Sequence, residues 1–235
     1  LNFSRDCGST ETGTMQQTVL EQHADVGIAL AGDGDRVIMV DHNGELVDGD
    51  ELLFVIAMSR KMQGMLNGRV VGTLMSNLGL EHALLSHNIA FERARVGDRY
   101  VLERLKEQDS VLGGESSGHI ICLDRTTTGD GIVSALQVLA AIVQSGKSLH
   151  ELKAGMKKYP QRMINVPLTR KVDLDADPSV QQAVKGVESR LAGKGRVLLR
   201  PSGTEPVVRV MVEGENEKQV IEEVDHLAAA VADAV

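Results

Sequence analysis

The stretch Leu30-Ala31-Gly32-Asp33-Gly34-Asp35-Arg36-Val37-Ile38-Met39-Val40-Asp41 decides how this sequence is read. Before it, Asp25-Val26-Gly27-Ile28-Ala29-Leu30 is a mostly apolar run of strand length; after it, Val37–Val40 is another. Between them stand two carboxylates two residues apart on a glycine-rich backbone, with an arginine straight after. Carboxylates at i and i+2 on a looped backbone can turn their oxygens toward one hard cation. Magnesium suits such a site, because it accepts a few carboxylates together with phosphate oxygen. An EF-hand fails on spacing: counting from Asp33, position 6 is Ile38 and position 12 is Gly44, and both flanks read as strands. A solvated acidic turn is the plain alternative.

Working outward, residues 12–22 read as a helix. Asp41-His42-Asn43-Gly44 reads as a type I′ hairpin turn, since Asn-Gly tolerates positive φ, and Glu45-Leu46-Val47 returns. From Asp50 the period becomes helical, with Leu52, Leu53, Ile56 and Ala57 recurring. Strand signals at 69–73, 89–91, 94–96, 111–113 and 119–122 then alternate with helical ones at 76–85, about 98–107 and about 131–144. That alternation implies an α/β layer structure with part of its sheet parallel. A boundary near 155–163 precedes a smaller unit: strands at 163–166, 196–200 and 207–213, and helices over 180–191 and from Glu217.

The 235 residues suffice for one large or two modest domains. Net charge is -8 and aromatic residues are 2%, which argues against nucleic acid as a partner, since phosphate backbones want a basic surface and bases want aromatic platforms. The longest apolar run, Ile132–Val143, is broken by Ser134 and Gln137 and is too short to span a bilayer, so no membrane partner is expected. Two cysteines, Cys7 and Cys122, make no disulfide framework and fit a cytoplasmic location. The first residue is Leu, which suggests a start inside a longer protein.

Two more loops carry chemistry. Gly114-Glu115-Ser116-Ser117-Gly118-His119 sets a carboxylate and a hydroxyl two residues apart in a tight turn between strands, an acceptor and donor pair suited to sugar hydroxyls. Arg200-Pro201-Ser202-Gly203-Thr204-Glu205-Pro206 gathers a guanidinium, two hydroxyls and free loop N–H groups within five residues, which suits a phosphate dianion. Ordinary capped turns are the alternative for each. Gly146-Lys147-Ser148 is no P-loop, since Ala141 stands where the earlier glycine belongs and a helix precedes it. The histidines show no zinc spacing.

Taken together and in this order, the three loops resemble those of the α-D-phosphohexomutases, which carry Asp-Gly-Asp-Gly-Asp-Arg, Gly-Glu-x-Ser-Gly-His and Arg-x-Ser-Gly-Thr-Glu-Pro. The segments 71–77, 96–101 and 126–131 narrow the resemblance to the bacterial glucosamine-phosphate branch. The resemblance spans nearly the whole chain. It implies a mixed-sheet three-layer α/β domain followed by a smaller two-layer α+β domain. It divides the chain into the end of a second domain (1–48, with the metal loop), a third domain (49–157) and a phosphate-binding C-terminal domain (158–235). It implies that Asp33 and Asp35 ligate one Mg2+, that Arg36 sits beside the transferring phosphoryl group, and that Glu115 and Ser117 hold sugar hydroxyls. Arg200, Ser202, Gly203 and Thr204 grip the non-reacting phosphate, and Arg99 adds a cation. The partner is a phosphosugar substrate; a homo-oligomer is left open. The family's phosphoserine loop, Ser-His-Asn-Pro, has only a mimic here, Ser86-His87-Asn88, with Ile89 in place of proline. The chain alone is therefore expected to be inactive. Ala31 stands where the family has its first metal-ligating aspartate, so weak magnesium binding is expected. A sister mutase for mannose or glucose phosphates, or a non-catalytic phosphosugar-binding module, are the rivals.

Overall fold

A computed structural model of the chain describes residues 8–168, 174, 176–202 and 205–235. The chain divides into two compact units, Leu1–Lys157 and Lys158–Val235.

The first unit opens with helix α1 (Gly13–Gln22) and an antiparallel sheet of β1 (Val26–Leu30), β2 (Val37–Asp41) and β3 (Leu46–Val47), in that order. The helix comes close to β1 because Gly27 has no side chain: a Cβ there would stand 2.7 Å from Val19 Cγ2. The turn after β2 differs from expectation. Only Gly44 has positive φ, at 76°, and Asn43 does not. Gly44 N–H donates to the Asp41 carbonyl, and Asp41 Oδ1 accepts from the N–H groups of Asn43 and Glu45. This is a type I turn closed by a left-handed glycine, not type I′. The Asp41 side chain organises the turn and removes the need for a left-handed Asn43.

Helix α2 (Gly49–Met62) starts on a capping box of Asp48 and Glu51. Then follow β4 (Val70–Thr73), α3 (Leu78–Ser86), β5 (Phe91–Ala94), α4 (Asp98–Glu107), β6 (Leu112–Gly114), β7 (Ile120–Cys122), α5 (Gly131–Ser145) and α6 (Leu149–Lys153). The strand order is β5-β4-β6-β7, with β4 parallel to β5 and β6, and β6 antiparallel to β7. The two strand signals at 89–91 and 94–96 become one strand. Ile89 N–H still donates to the Leu84 carbonyl at the end of α3, and Arg95-Val96 have left the ladder for the loop.

Neighbouring strand residues bury on opposite faces, as the two-residue period requires. Val70, Leu112 and Ile120 pack with Phe54, Leu80 and Val138, whereas Val71, Ala94 and Ile121 pack with Val101 and Leu105 of α4. The result is a three-layer α/β unit.

The second unit has β8 (Gln161–Pro167), α7 (Pro178–Leu191), β9 (Gly195–Pro201), β10 (Val207–Gly214) and α8 (Glu217–Ala234). Its antiparallel sheet runs β8-β10-β9. Val208, Val210 and Val212 bury against Val180, Val187 and Leu191 of α7 and Val220, Val224, Leu227 and Val231 of α8. This is a two-layer α+β unit. Among the described residues no helix is long and apolar enough to cross a membrane.

Candidate functional site

Because β4, β5 and β6 are parallel, their carboxyl ends share one edge of the sheet, the edge at which open α/β sheets gather their ligand loops. The loop after β5 carries Gly97, whose φ is +125°, and its N–H donates to Glu115 Oε1 at 3.0 Å. Glu115 therefore has one oxygen committed to the neighbouring loop. Ser117 is exposed at the tip of the turn after β6. The turn is held by Gly118 N–H on the Glu115 carbonyl (3.0 Å) and Glu115 N–H on the His119 carbonyl (2.9 Å).

The acidic loop docks onto this turn. Val37 N–H donates to the Gly118 carbonyl at 3.1 Å, and Gly131 N–H donates to the Gly34 carbonyl at 2.9 Å. Both contacts need glycine: a Cβ at Gly118 would stand 2.1 Å from the Val37 carbonyl oxygen, and one at Gly131 would stand 2.8 Å from that of Arg36. Ala31 closes the loop's neck, its N–H on the Arg36 carbonyl and its carbonyl accepting from Gly34. The structure thus brings Asp33, Asp35, Arg36, Glu115 and Ser117 into one connected set of loops.

Asp35 is the more enclosed member of the carboxylate pair. Its Oδ2 accepts from His119 Nδ1 at 3.1 Å, and its Oδ1 is buried with no hydrogen-bond partner among the described residues. Burial pushes the carboxyl pKa up, but the neighbouring Asp33 carboxyl, the His119 bond and the nearby Arg36 guanidinium outweigh it and hold it below the usual range. An ionised carboxylate with a bare, buried oxygen fits a hard cation. Arg36 is half-exposed, with Nε 3.7 Å from Asp35 Oδ2, and so stays available to an incoming anion.

In the sequence His119 is only the end of a motif. In the structure it is 5% exposed and holds Asp35 through its Nδ1–H, while Gly129 leaves room for its ring. A Cβ at Gly129 would stand 2.0 Å from His119 Nε2. Arg99, by contrast, is exposed on the first turn of α4 and pairs with Glu103 at 2.8 Å along its own helix.

In the second unit, β9 and β10 set Arg200 directly opposite Arg209. Among the described residues the Nε of each is buried without a partner, while Arg209 Nη2 reaches Glu205 Oε2 at 3.2 Å. Like charges directly opposite each other repel. Two arginines on the same face of the sheet, at directly opposite register positions, suit an anion that both can reach. Arg209 is legible in the sequence only as the second arginine of its stretch; the antiparallel register promotes it. Ser202 N–H donates to the Val207 carbonyl, and Ser202 Oγ accepts from Glu205 N–H. Gly203 and Thr204 lie outside the described residues.

A further group, Asp41, Glu45 and His150, could hold a metal ion. Lys153 Nζ already stands 3.0 Å from Asp41 Oδ2 and 2.8 Å from Glu45 Oε2, so an ammonium supplies the positive charge and ties α6 to the hairpin. Cys122 is no candidate nucleophile: burial pushes its thiol up to about 11.

Family models match two stretches: "Phosphoglucomutase/phosphomannomutase, alpha/beta/alpha domain III" over residues 48–159, and "Phosphoglucomutase/phosphomannomutase, C-terminal domain" over residues 163–233. A phosphoglucosamine mutase of Methylococcus capsulatus is 65% identical over 232 residues, covering 99% of this chain and 52% of that protein. One of Proteus mirabilis is 57% identical over 231 residues, covering 98% and 52%. The chain thus spans about half the length of these curated relatives. Among solved structures, Aspergillus fumigatus N-acetylphosphoglucosamine mutase in complex with GlcNAc-6P and magnesium matches with a TM-score of 0.80 at 23% identity, over 100% of this chain and 54% of that one. That likeness speaks for the fold. With two consecutive domains matched in the order in which they stand here, the chain belongs to the phosphoglucomutase/phosphomannomutase family and carries its domain III and C-terminal domain.

Proposed function

We propose that this chain is the C-terminal portion of a phosphoglucosamine mutase, which interconverts glucosamine 6-phosphate and glucosamine 1-phosphate through a phosphoserine and a 1,6-bisphosphate. The observation that carries the reading is Asp35: an ionised carboxylate with one bare, buried oxygen, in a loop hydrogen-bonded to the Glu115 turn. A phosphoryl-transfer site needs a cation beside a group that fixes the sugar. The names of relatives at 57–65% identity support glucosamine over other hexoses.

In this reading the chain comprises the end of a second domain (1–48), a third domain (49–157) and a C-terminal domain (158–235). Asp33 and Asp35 hold Mg2+, which when bound offsets charge on the transferring phosphoryl group. Ala31 in place of a third carboxylate leaves the site weak. Arg36 offers its half-exposed guanidinium to that phosphoryl group. Glu115 accepts from a sugar hydroxyl through the oxygen not given to Gly97, and Ser117 donates to another. Arg99 contributes positive charge from its exposed position. Arg200 and Ser202, with Gly203, Thr204 and Arg209, hold the phosphate that does not react, so the bisphosphate can present either end. The reading places the protein in the cytoplasm, which a sequence with only two cysteines fits.

Titration of the purified chain with glucosamine 6-phosphate, mannose 6-phosphate and glucose 6-phosphate tests the reading. Glucosamine 6-phosphate should bind tightest, and Arg200→Ala should abolish binding. Equal affinity for all three sugars overturns the glucosamine assignment. Turnover by the chain alone at the rate of an intact enzyme overturns the dependence on a phosphoserine outside this sequence.

A further inference from the structure

We propose that Asn165 is a third binding residue of the anion site on the second unit: its side-chain amide donates to an oxygen of the phosphate that Arg200 and Arg209 hold. That the phosphate is carried by a sugar rests on the mutase reading. That Asn165 shares a site with the two arginines rests on strand register.

Strand β10 is the middle strand of its sheet, with β8 on one side and β9 on the other. Arg209 stands opposite Arg200 of β9 and, on its other side, opposite Asn165 of β8. Residues directly opposite one another in an antiparallel sheet share a face. The three side chains therefore form one row across the sheet. The alternate residues Ile164, Val166, Val208, Val210 and Leu199 belong to the core shared with α7 and α8, so the row stands on the face turned away from both helices. With neighbouring strands about 4.8 Å apart, the whole row spans roughly 10 Å, within reach of one phosphate monoester and two arginines.

The other rows of this face show why the anion belongs here. Gln161, Glu213 and Arg196 form one row, in which Arg196 Nε meets Glu213 Oε2 at 2.7 Å. Met163, Met211 and Leu198 form the next and carry no charge. The row of Asn165 holds two guanidiniums, and Glu205 offsets one of them from 3.2 Å. Positive charge is left over in that row.

Asn165 is also out of place by local rules. Asparagine is depleted in strands, because its short amide competes for backbone bonds that turns and helix ends offer. Asn77 and Asn216 are used in that way, accepting from Gly79 N–H and Gln219 N–H at the starts of α3 and α8. Asn165 instead lies inside the seven-residue β8, exposed, and its side chain has no hydrogen-bond partner among the described residues. A neutral amide suits the place: it adds N–H donors for a phosphate oxygen without a third like charge in the row.

The experiment is calorimetric titration of the purified chain with inorganic phosphate and with glucosamine 6-phosphate. Asn165→Ala should weaken both about tenfold, the loss of one hydrogen bond to a charged oxygen, and leave the melting temperature unchanged. Asn165→Asp should weaken both further, and the excess over Asn165→Ala should shrink as salt is raised, because a carboxylate in the row repels the anion. Unchanged affinity in Asn165→Ala, or Asn165→Asp binding as well as Asn165→Ala, overturns the proposal and leaves the mutase reading standing. A fall in melting temperature that accounts for the lost affinity makes Asn165 a structural residue and also overturns it. Weakening of both ligands by Asn165→Ala, in a chain that binds glucose 6-phosphate as tightly as glucosamine 6-phosphate, supports the proposal and overturns the glucosamine reading. No binding of either ligand by the unaltered chain overturns both.

Discussion

Gly118→Ala probes the joint between the acidic loop and the sugar-hydroxyl turn. A Cβ at residue 118 would stand 2.1 Å from the Val37 carbonyl oxygen, where ordinary contact begins at 3.4 Å, so the two backbones must part by more than an ångström. That shift breaks the hydrogen bond from Val37 N–H to the Gly118 carbonyl. Val37 is fully buried, so its N–H is left without a partner, at about 1–2 kcal/mol. The positive φ of +92° adds about 1 kcal/mol for any side chain. The sum is about 2–3 kcal/mol. For a unit of this size, 1 kcal/mol lowers the melting temperature by roughly 2–4 °C, so a drop of about 4–12 °C is expected. Gly34→Ala is the control. Gly34 also has positive φ, at +76°, but nothing lies within 4 Å of a Cβ there, so only the conformational cost of about 1 kcal/mol applies. Thermal melts of the two variants isolate the steric contact. If Gly118→Ala melts no lower than Gly34→Ala, the tight docking of the two loops is refuted.

Three more outcomes are expected. Arg200→Ala and Arg209→Ala should each weaken inorganic phosphate binding on the order of tenfold or more, and the double variant should lose less than the product of the two, because both guanidiniums grip one anion; equilibrium titration reads this, and strict additivity overturns the shared site. Ala31→Asp should tighten magnesium binding on the order of tenfold, as ligand charge is restored; unchanged affinity by calorimetric titration refutes the ligand count. The clamp at Asp41 should narrow the pH range of stability from both sides. Burial raises the Asp41 pKa, but bonds from Lys153, His150 and Glu45 N–H hold it below 3.8, so its stabilisation is present above that value and lost as pH falls toward the folded pKa. Lys153 is desolvated, yet Glu45 and Asp41 raise it above 10.5, so its contribution is present below that value and lost as pH climbs past it. Lys153→Met should cost about 3 kcal/mol at neutral pH and flatten the alkaline limb of a melting-temperature profile; an unaltered limb excludes the clamp.

Much of this protein is settled by local patterning. The alternation of strand and helix periods, the Asp48 and Asp130 caps and the glycine positions are short-range constraints, and they suffice for an α/β unit followed by an α+β unit. Each of the three loops is one contiguous stretch, so its chemistry could be recognised residue by residue. Where competing local bonds act, the sequence misleads. Asn43-Gly44 promises a type I′ turn, but the Asp41 carboxylate caps it as type I, and 89–96 promises two strands where one forms.

Only the tertiary structure decides what depends on residues far apart. His119 reaches Asp35 across 84 positions, Glu115 reaches the Gly97 N–H across 18, and Arg209 faces Arg200 through strand register. Such pairings arise because parallel strands bring their carboxyl ends to one edge and antiparallel strands fix which residues stand opposite, and neither relation is written in any single stretch. The same holds for α5. Its sequence reads as an apolar helix, but only packing shows which of its faces the core covers and which is left bare.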